Sequence, residues 1–143
     1  MRRALAALLA LVVGAAVFAA VRELNNAATA PREISVTDQV QQGLKLAVAR
    51  ARPTLPKKVD DATTLAEVST TGMVLTYHYV VDRDNYELLP NFMQTAQRIT
   101  TALLCNTEDM KSAMKAGAAY AYRYSDTSSK SLGGFVVTSA DCQ

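Results

Sequence analysis

Residues 117–142 read GAAYAYRYSDTSSKSLGGFVVTSADC, and this stretch decides the fold. Tyr120, Tyr122 and Tyr124 recur at every second position, with Ala119, Ala121 and Arg123 between them. Successive side chains of a strand point to opposite faces. The alternation therefore predicts a strand from about Ala118 to Ser125, with the tyrosines on one face. The segment DTSSKS is polar and turn-forming, and a second strand follows from about Leu132 to Ser139. The two strands predict a hairpin, with Cys142 just beyond its end.

A second hairpin lies upstream. Residues 63–70 (TTLAEVST) are dense in β-branched residues, Gly72 falls in the turn, and residues 73–82 (MVLTYHYVVD) alternate again. Met73, Leu75, Tyr77, Tyr79 and Val81 share the face expected to be buried. Val74, Thr76, His78, Val80 and Asp82 share the other.

The intervals carry helical periodicity. Val36, Val40, Leu44, Ala47 and Val48 mark the buried stripe of a helix over about 35–51, capped by Ser35 or Thr37 and ended by Pro53 and Pro56. Leu88, Met93, Ala96, Ile99, Leu103 and Leu104 mark a helix over about 87–105, with Pro90 in its first turn. A short helix over about 107–116 stops at Gly117, with Glu108 and Asp109 suited to its first turn. Two hairpins separated by helices predict an α+β fold. The expected form is an antiparallel sheet of about four strands with helices packed on one face and a mixed, partly wet face opposite.

The N-terminus has a different character. Arg2 and Arg3 precede an uncharged run from Ala4 to Val21, the layout of a signal peptide or a signal anchor. An apolar helix is expected there, with the two arginines on the cytoplasmic side. No clean cleavage site follows: small residues at Ala28 and Ala30 are succeeded by Pro31. An anchor is favoured over a cleaved peptide. Residues 1–30 then form the anchor or signal with its linker, and residues 31–143 form one domain of ordinary size on the periplasmic side. The expected location is the inner membrane, single-pass, or the periplasm if the segment is cleaved. The net charge of +2 and the absence of a basic stripe argue against a nucleic-acid partner.

Two cysteines, Cys105 and Cys142, are present. An even count in an exported chain favours a disulfide. A metal pair or a reactive thiol is the alternative. His78 is the only histidine and there is no CxxC, so the ligands a metal site needs are missing. No cofactor is expected.

The C-terminal half, a helix ending in Cys105, a short helix, Gly117, the strand YAYRYSD, a polar turn, a strand and Cys142, resembles the small disulfide-containing α/β pilotins of type II secretion systems. The segment LPKKVDDATTLAEVSTTGMVLTYHYVV is similar to related bacterial exported proteins with the same ending. The resemblance implies a chaperone-like role in which the domain grips a short segment of a secretin. Those pilotins carry a lipid on a cysteine that follows the apolar run, and here no cysteine stands there.

Catalytic chemistry finds little support. His78 could act as a general base, but no activated nucleophile or metal spacing accompanies it. The acid pairs Asp60–Asp61 and Asp82/Asp84 lie where aspartate commonly builds turns. Tyr77, Tyr79, Tyr120, Tyr122 and Tyr124 could form a binding surface, although their alternation fits core burial better. A groove between sheet and helix, or an open strand edge, is the more promising surface. The expected function is non-catalytic: a periplasmic protein-binding or envelope-assembly module that recognises a segment of an envelope or secretion-system protein. The alternatives are a periplasmic inhibitor of a hydrolase and a small hydrolase built on His78.

Overall fold

The computed structural model describes residues 3–4 and 34–143. The apolar run expected to form an N-terminal helix lies outside the described residues, apart from Ala4. Among the described residues, no helix is long and apolar enough to cross a membrane.

Among the described residues, three α-helices pack with a five-stranded sheet. Helix α1 spans Val36–Ala51. Ser35 caps it: its Oγ accepts from the Asp38 amide at 3.1 Å, satisfying one of the donors a helix start leaves free. A 3₁₀ turn at Arg52–Thr54, with Pro53 in it, ends the helix. Strands β2 (Lys57–Lys58), β3 (Thr63–Thr71) and β4 (Val74–Val81) follow. The β3–β4 turn needs Gly72, whose φ of +59° lies in the left-handed region. Helix α2 (Phe92–Asn106) and helix α3 (Glu108–Lys115) precede β6 (Ala119–Asp126) and β7 (Ser131–Val137). A separate two-residue ladder pairs β1 (Arg3–Ala4) with β5 (Tyr86–Glu87) in parallel.

The sheet order is β2-β3-β4-β6-β7. This corrects the expected four-stranded antiparallel sheet in two ways. The short β2 adds a fifth strand beside the start of β3. The two hairpins join through β4 and β6, and that pair is parallel. The physical reason is the connection. Parallel neighbours require a crossover of a dozen or more residues, usually helical, and α2 with α3 supplies one. Alternation says which face a residue takes but not which way the neighbouring strand runs.

All three helices contribute to one core on one face of the sheet. Leu44, Ala47, Val48 and Ala51 of α1, Ala96 and Leu104 of α2, and Met110 and Met114 of α3 pack with Leu65, Val68, Leu75, Val81 and the sheet's aromatic rings. Cross-strand register aligns Tyr77, Tyr122 and Phe135 in a single row. Their rings stack at centroid distances of 5.2 Å and 5.1 Å. Tyr79 and Tyr124 stack in the next row, and Phe92 of α2 meets Tyr124 edge-on at 5.3 Å. Pairs of this geometry add about 0.5–1.5 kcal/mol beyond the area they bury. Gly133 closes that row at φ +115°, where Met93 lies over its bare Cα.

The hydroxyls of Tyr120, Tyr122 and Tyr124 are buried and find no hydrogen-bond partner among the described residues. An unpaired buried hydroxyl costs about 1–3 kcal/mol in lost hydration. Tyr122→Phe keeps the ring stack and deletes that cost, so it is expected to raise stability by about 1 kcal/mol. Urea unfolding of the variant against the parent checks this; a lower midpoint would show that the hydroxyl is bonded.

Helix α2 begins at Phe92 and not near Glu87, so Pro90 lies before the helix instead of inside it. Its buried line is Ala96, Thr100 and Leu104, and Ile99 and Leu103 remain 38 % and 39 % exposed. The helix is rotated by about one position from the expected stripe. Val36 of α1 is likewise exposed.

Candidate functional site

Two depressions mark the surface of the described residues. The first is a groove between α1 and β3, with a volume of about 650 Å³. Lys45, Val48, Ala49 and Arg52 form one wall, Ala66 to Thr70 of β3 form the other, and Leu55 and Pro56 close one end. The sequence builds this groove in two steps. The prolines after α1 send the chain out to make only two paired residues, Lys57 opposite Leu65 and Lys58 opposite Thr64. Beyond Leu65, the outer edge of β3 pairs with no strand among the described residues. A β-bulge in the β3–β4 ladder, between Leu65 and Glu67, lies next to the last residue that β2 pairs with. An unpaired edge offers a row of backbone donors and acceptors. The expectation of a groove between sheet and helix and that of an open strand edge thus meet in one place. Lys45 and Arg52 are exposed on the rim, and Glu67 is the one carboxylate among the lining residues.

The second surface is the sheet face opposite the helices. Glu67, His78, Arg123 and Gly134 fall in one row across four strands. His78 Nε2 lies 2.9 Å from Ser125 Oγ. A shallow depression of about 410 Å³ surrounds them, lined also by Ser69, Thr76, Ser129 and Ser131.

The sequence-derived candidates sort clearly. Tyr77, Tyr79, Tyr120, Tyr122 and Tyr124 are all at most 4 % exposed, so they build the core and offer no surface to a partner. Burial holds the Tyr79 phenol up to about 12, and pushes those of Tyr77, Tyr120, Tyr122 and Tyr124 higher still. Cys105 and Cys142 form the disulfide, with Cα atoms 5.2 Å apart, tying the end of α2 to the 3₁₀ turn Ser139–Cys142. Asp60 Oδ1 accepts from the amides of Ala62 and Thr63 at 2.8 Å and 2.7 Å, and Asp82 Oδ1 from those of Asp84 and Asn85, both at 3.2 Å. These acids build turns. The bonds to Asn85 hold the Asp82 carboxyl below the usual carboxylate range. Among the described residues, no group of three or more metal-ligating side chains gathers.

Among the described residues, His78 and Ser125 make the one contact between a hydroxyl and the imidazole, and the sequence does not announce it because 47 positions separate them. Ser125 is only 7 % exposed and lies within strand β6. No hydrogen bond among the described residues orients the other imidazole nitrogen. The pair therefore lacks the access and the third group that a working nucleophile needs.

No protein-family model matches this chain, and no curated protein matches it. The solved structures do. Its fold is similar to that of type II secretion pilotins. The pilotin EpsS of the Vibrio vulnificus type 2 secretion system aligns with a TM-score of 0.64 at 14 % identity, covering 76 % of this chain and 96 % of that one. The type II secretion pilotin AspS of Vibrio cholerae aligns with a TM-score of 0.60 at 14 % identity, covering 75 % of this chain and 95 % of that one. A candidate secreted protein of Pseudomonas aeruginosa aligns with a TM-score of 0.65 at 11 % identity, covering 76 % and 96 %. At these identities the likeness is one of fold. It bears out the resemblance drawn from the helix–Cys–helix–Gly–hairpin–Cys order.

Proposed function

We propose that this chain is a non-catalytic protein-binding module of the bacterial envelope, a pilotin-like domain that holds an extended segment of a secretion-system or envelope protein. The observation that carries the reading is the unpaired edge of β3 beside the α1 groove. A strand added there completes the β3 ladder, and its side chains drop alternately toward Val48 and Leu55 or out to solvent. Lys45 and Arg52 on the rim favour a segment carrying acidic residues. The fold shared with two pilotins supports a partner in secretion-system assembly.

The same reading places residues 31–143 in the periplasm. The segment 1–30 serves as an inner-membrane anchor, or as a signal whose removal frees the domain. The disulfide supports an oxidising compartment.

Ala49 is exposed on the groove wall and sits in a regular helix, so Ala49→Arg narrows the groove without disturbing the core. Binding of the purified domain to overlapping peptides of the secretin from the same cell is the test. Ala49→Arg is expected to weaken the binding about tenfold or more, equivalent to about 1.4 kcal/mol, with an unchanged melting temperature. Failure of every secretin peptide to bind, or undiminished binding by the variant, overturns the proposal.

A further inference from the structure

We infer that the polar depression on the open sheet face is a binding site for a small zwitterion about the size of a dipeptide, its carboxylate on Arg123 and its ammonium on Glu67. This inference does not depend on the α1 groove being occupied.

The charge pattern carries the argument. Arg123 and Glu67 belong to the same cross-strand row, separated by His78, and both are exposed. They form no ion pair with each other or with any other described residue. Neighbouring strands lie about 4.8 Å apart, so these opposite charges start from backbones about 10 Å apart with one strand between them. An extended dipeptide spans about 7 Å, which leaves each end within reach of one long side chain. A single amino acid is too short for both, and a simple anion uses only one. The guanidinium fork of Arg123 matches a carboxylate in two parallel hydrogen bonds.

The surroundings suit the middle of such a ligand. Ser69 and Thr76 border the row on one side, and Ser125, Ser129 and Ser131 on the other. Ser125 is buried and bonded to His78, and the more exposed Ser69, Thr76, Ser129 and Ser131 supply hydroxyls for a peptide carbonyl or amide. Ser125 Oγ lies 2.9 Å from His78 Nε2, which fixes the imidazole between the two charges. Gly134 stands next to Arg123 in the row and has no side chain, so that end stays open. A Cβ at Gly134 would run into the Tyr122 carbonyl oxygen. The volume of about 410 Å³ falls at the lower end of the range for small-molecule sites.

Diglycine is the probe, added to the isotope-labelled protein while its amide resonances are followed. The resonances of Thr76, His78, Arg123 and Ser125 are expected to shift saturably. Arg123→Gln and Glu67→Gln, both at exposed positions, are each expected to weaken the binding about tenfold or more. Arg123→Lys keeps the charge without the fork, and intermediate loss is expected from it. Diglycine blocked at both ends is expected to leave the resonances in place. Absence of a saturable shift, acetate binding as tightly as diglycine, or unchanged affinity in Arg123→Gln overturns the inference.

Discussion

Reduction of the Cys105–Cys142 bond is expected to lower the melting temperature by roughly 10–20 °C. The bridge spans a sequence separation of 37 and ties the end of α2 to the terminal turn, where Cys142 is half-buried against the core. Cys142 belongs to the terminal 3₁₀ turn Ser139–Cys142, which has no buried residue. Its hydrogen bonds are local: the Asp141 carboxylate accepts from the Thr138 amide at 2.8 Å and from its hydroxyl at 3.0 Å, and the Asp141 amide donates to the Thr138 carbonyl at 3.1 Å. Chain-entropy arithmetic gives a loop of this length roughly 3–4 kcal/mol, against about 5–15 kcal/mol for a whole domain. Cutting the bond frees the turn and lets the end of α2 fray at Cys105, beside Leu104 in the core. Calorimetry with and without reductant measures the loss, and Cys105→Ser with Cys142→Ser should reproduce it. A melting curve that reduction leaves unmoved would show that the bridge adds nothing to stability.

The two hairpins and three helices are legible in the sequence because burial imposes a period on each. Tyr120, Tyr122 and Tyr124 can alternate only if one face of β6 meets the core, and Leu44, Ala47 and Val48 can recur only if one side of α1 does. What periodicity omits is relative placement. Nothing in the residues of β4 or β6 says that they run parallel, since that direction is set by the α2–α3 crossover. The stripe of α2 misleads for a related reason. Thr100 occupies a fully buried position that polarity assigns to solvent, and Ile99 and Leu103 occupy exposed ones. The polar row of the open face was out of reach altogether. It depends on a bulge between Leu65 and Glu67 that brings Glu67 opposite His78, and on the parallel register that brings His78 opposite Arg123. The α1 groove was legible as a type of surface, a sheet–helix groove or an open edge. Its location waited on how short β2 proved to be.

Raising the pH above about 10 is expected to unfold the domain cooperatively, through its five buried tyrosines. Burial is the largest cause of their raised pKa values: the Tyr79 phenol is pushed up to about 12, and those of Tyr77, Tyr120, Tyr122 and Tyr124 higher. For Tyr77 and Tyr122, neighbouring phenols add repulsion that disfavours a second charge. In the unfolded chain each phenol titrates near its ordinary value, about 10. Below that pH both states keep their protons and the tyrosines give no pH dependence. Above it the unfolded chain releases protons that the folded one retains, so stability falls as pH rises toward the folded values. Each such group contributes up to about 1.4 kcal/mol per pH unit, and five together about 7 kcal/mol. A domain with about 5–15 kcal/mol in hand exhausts it within one to two units. Phenolate absorbance and far-ultraviolet circular dichroism should therefore change together in one steep transition. Replacing Tyr122 and Tyr124 with Phe removes two of the titrating groups and should move the midpoint upward. A gradual rise of phenolate absorbance with the secondary structure intact would mean that these rings reach solvent in the native fold. The stacked core of β4, β6 and β7 would then be looser than its burial indicates.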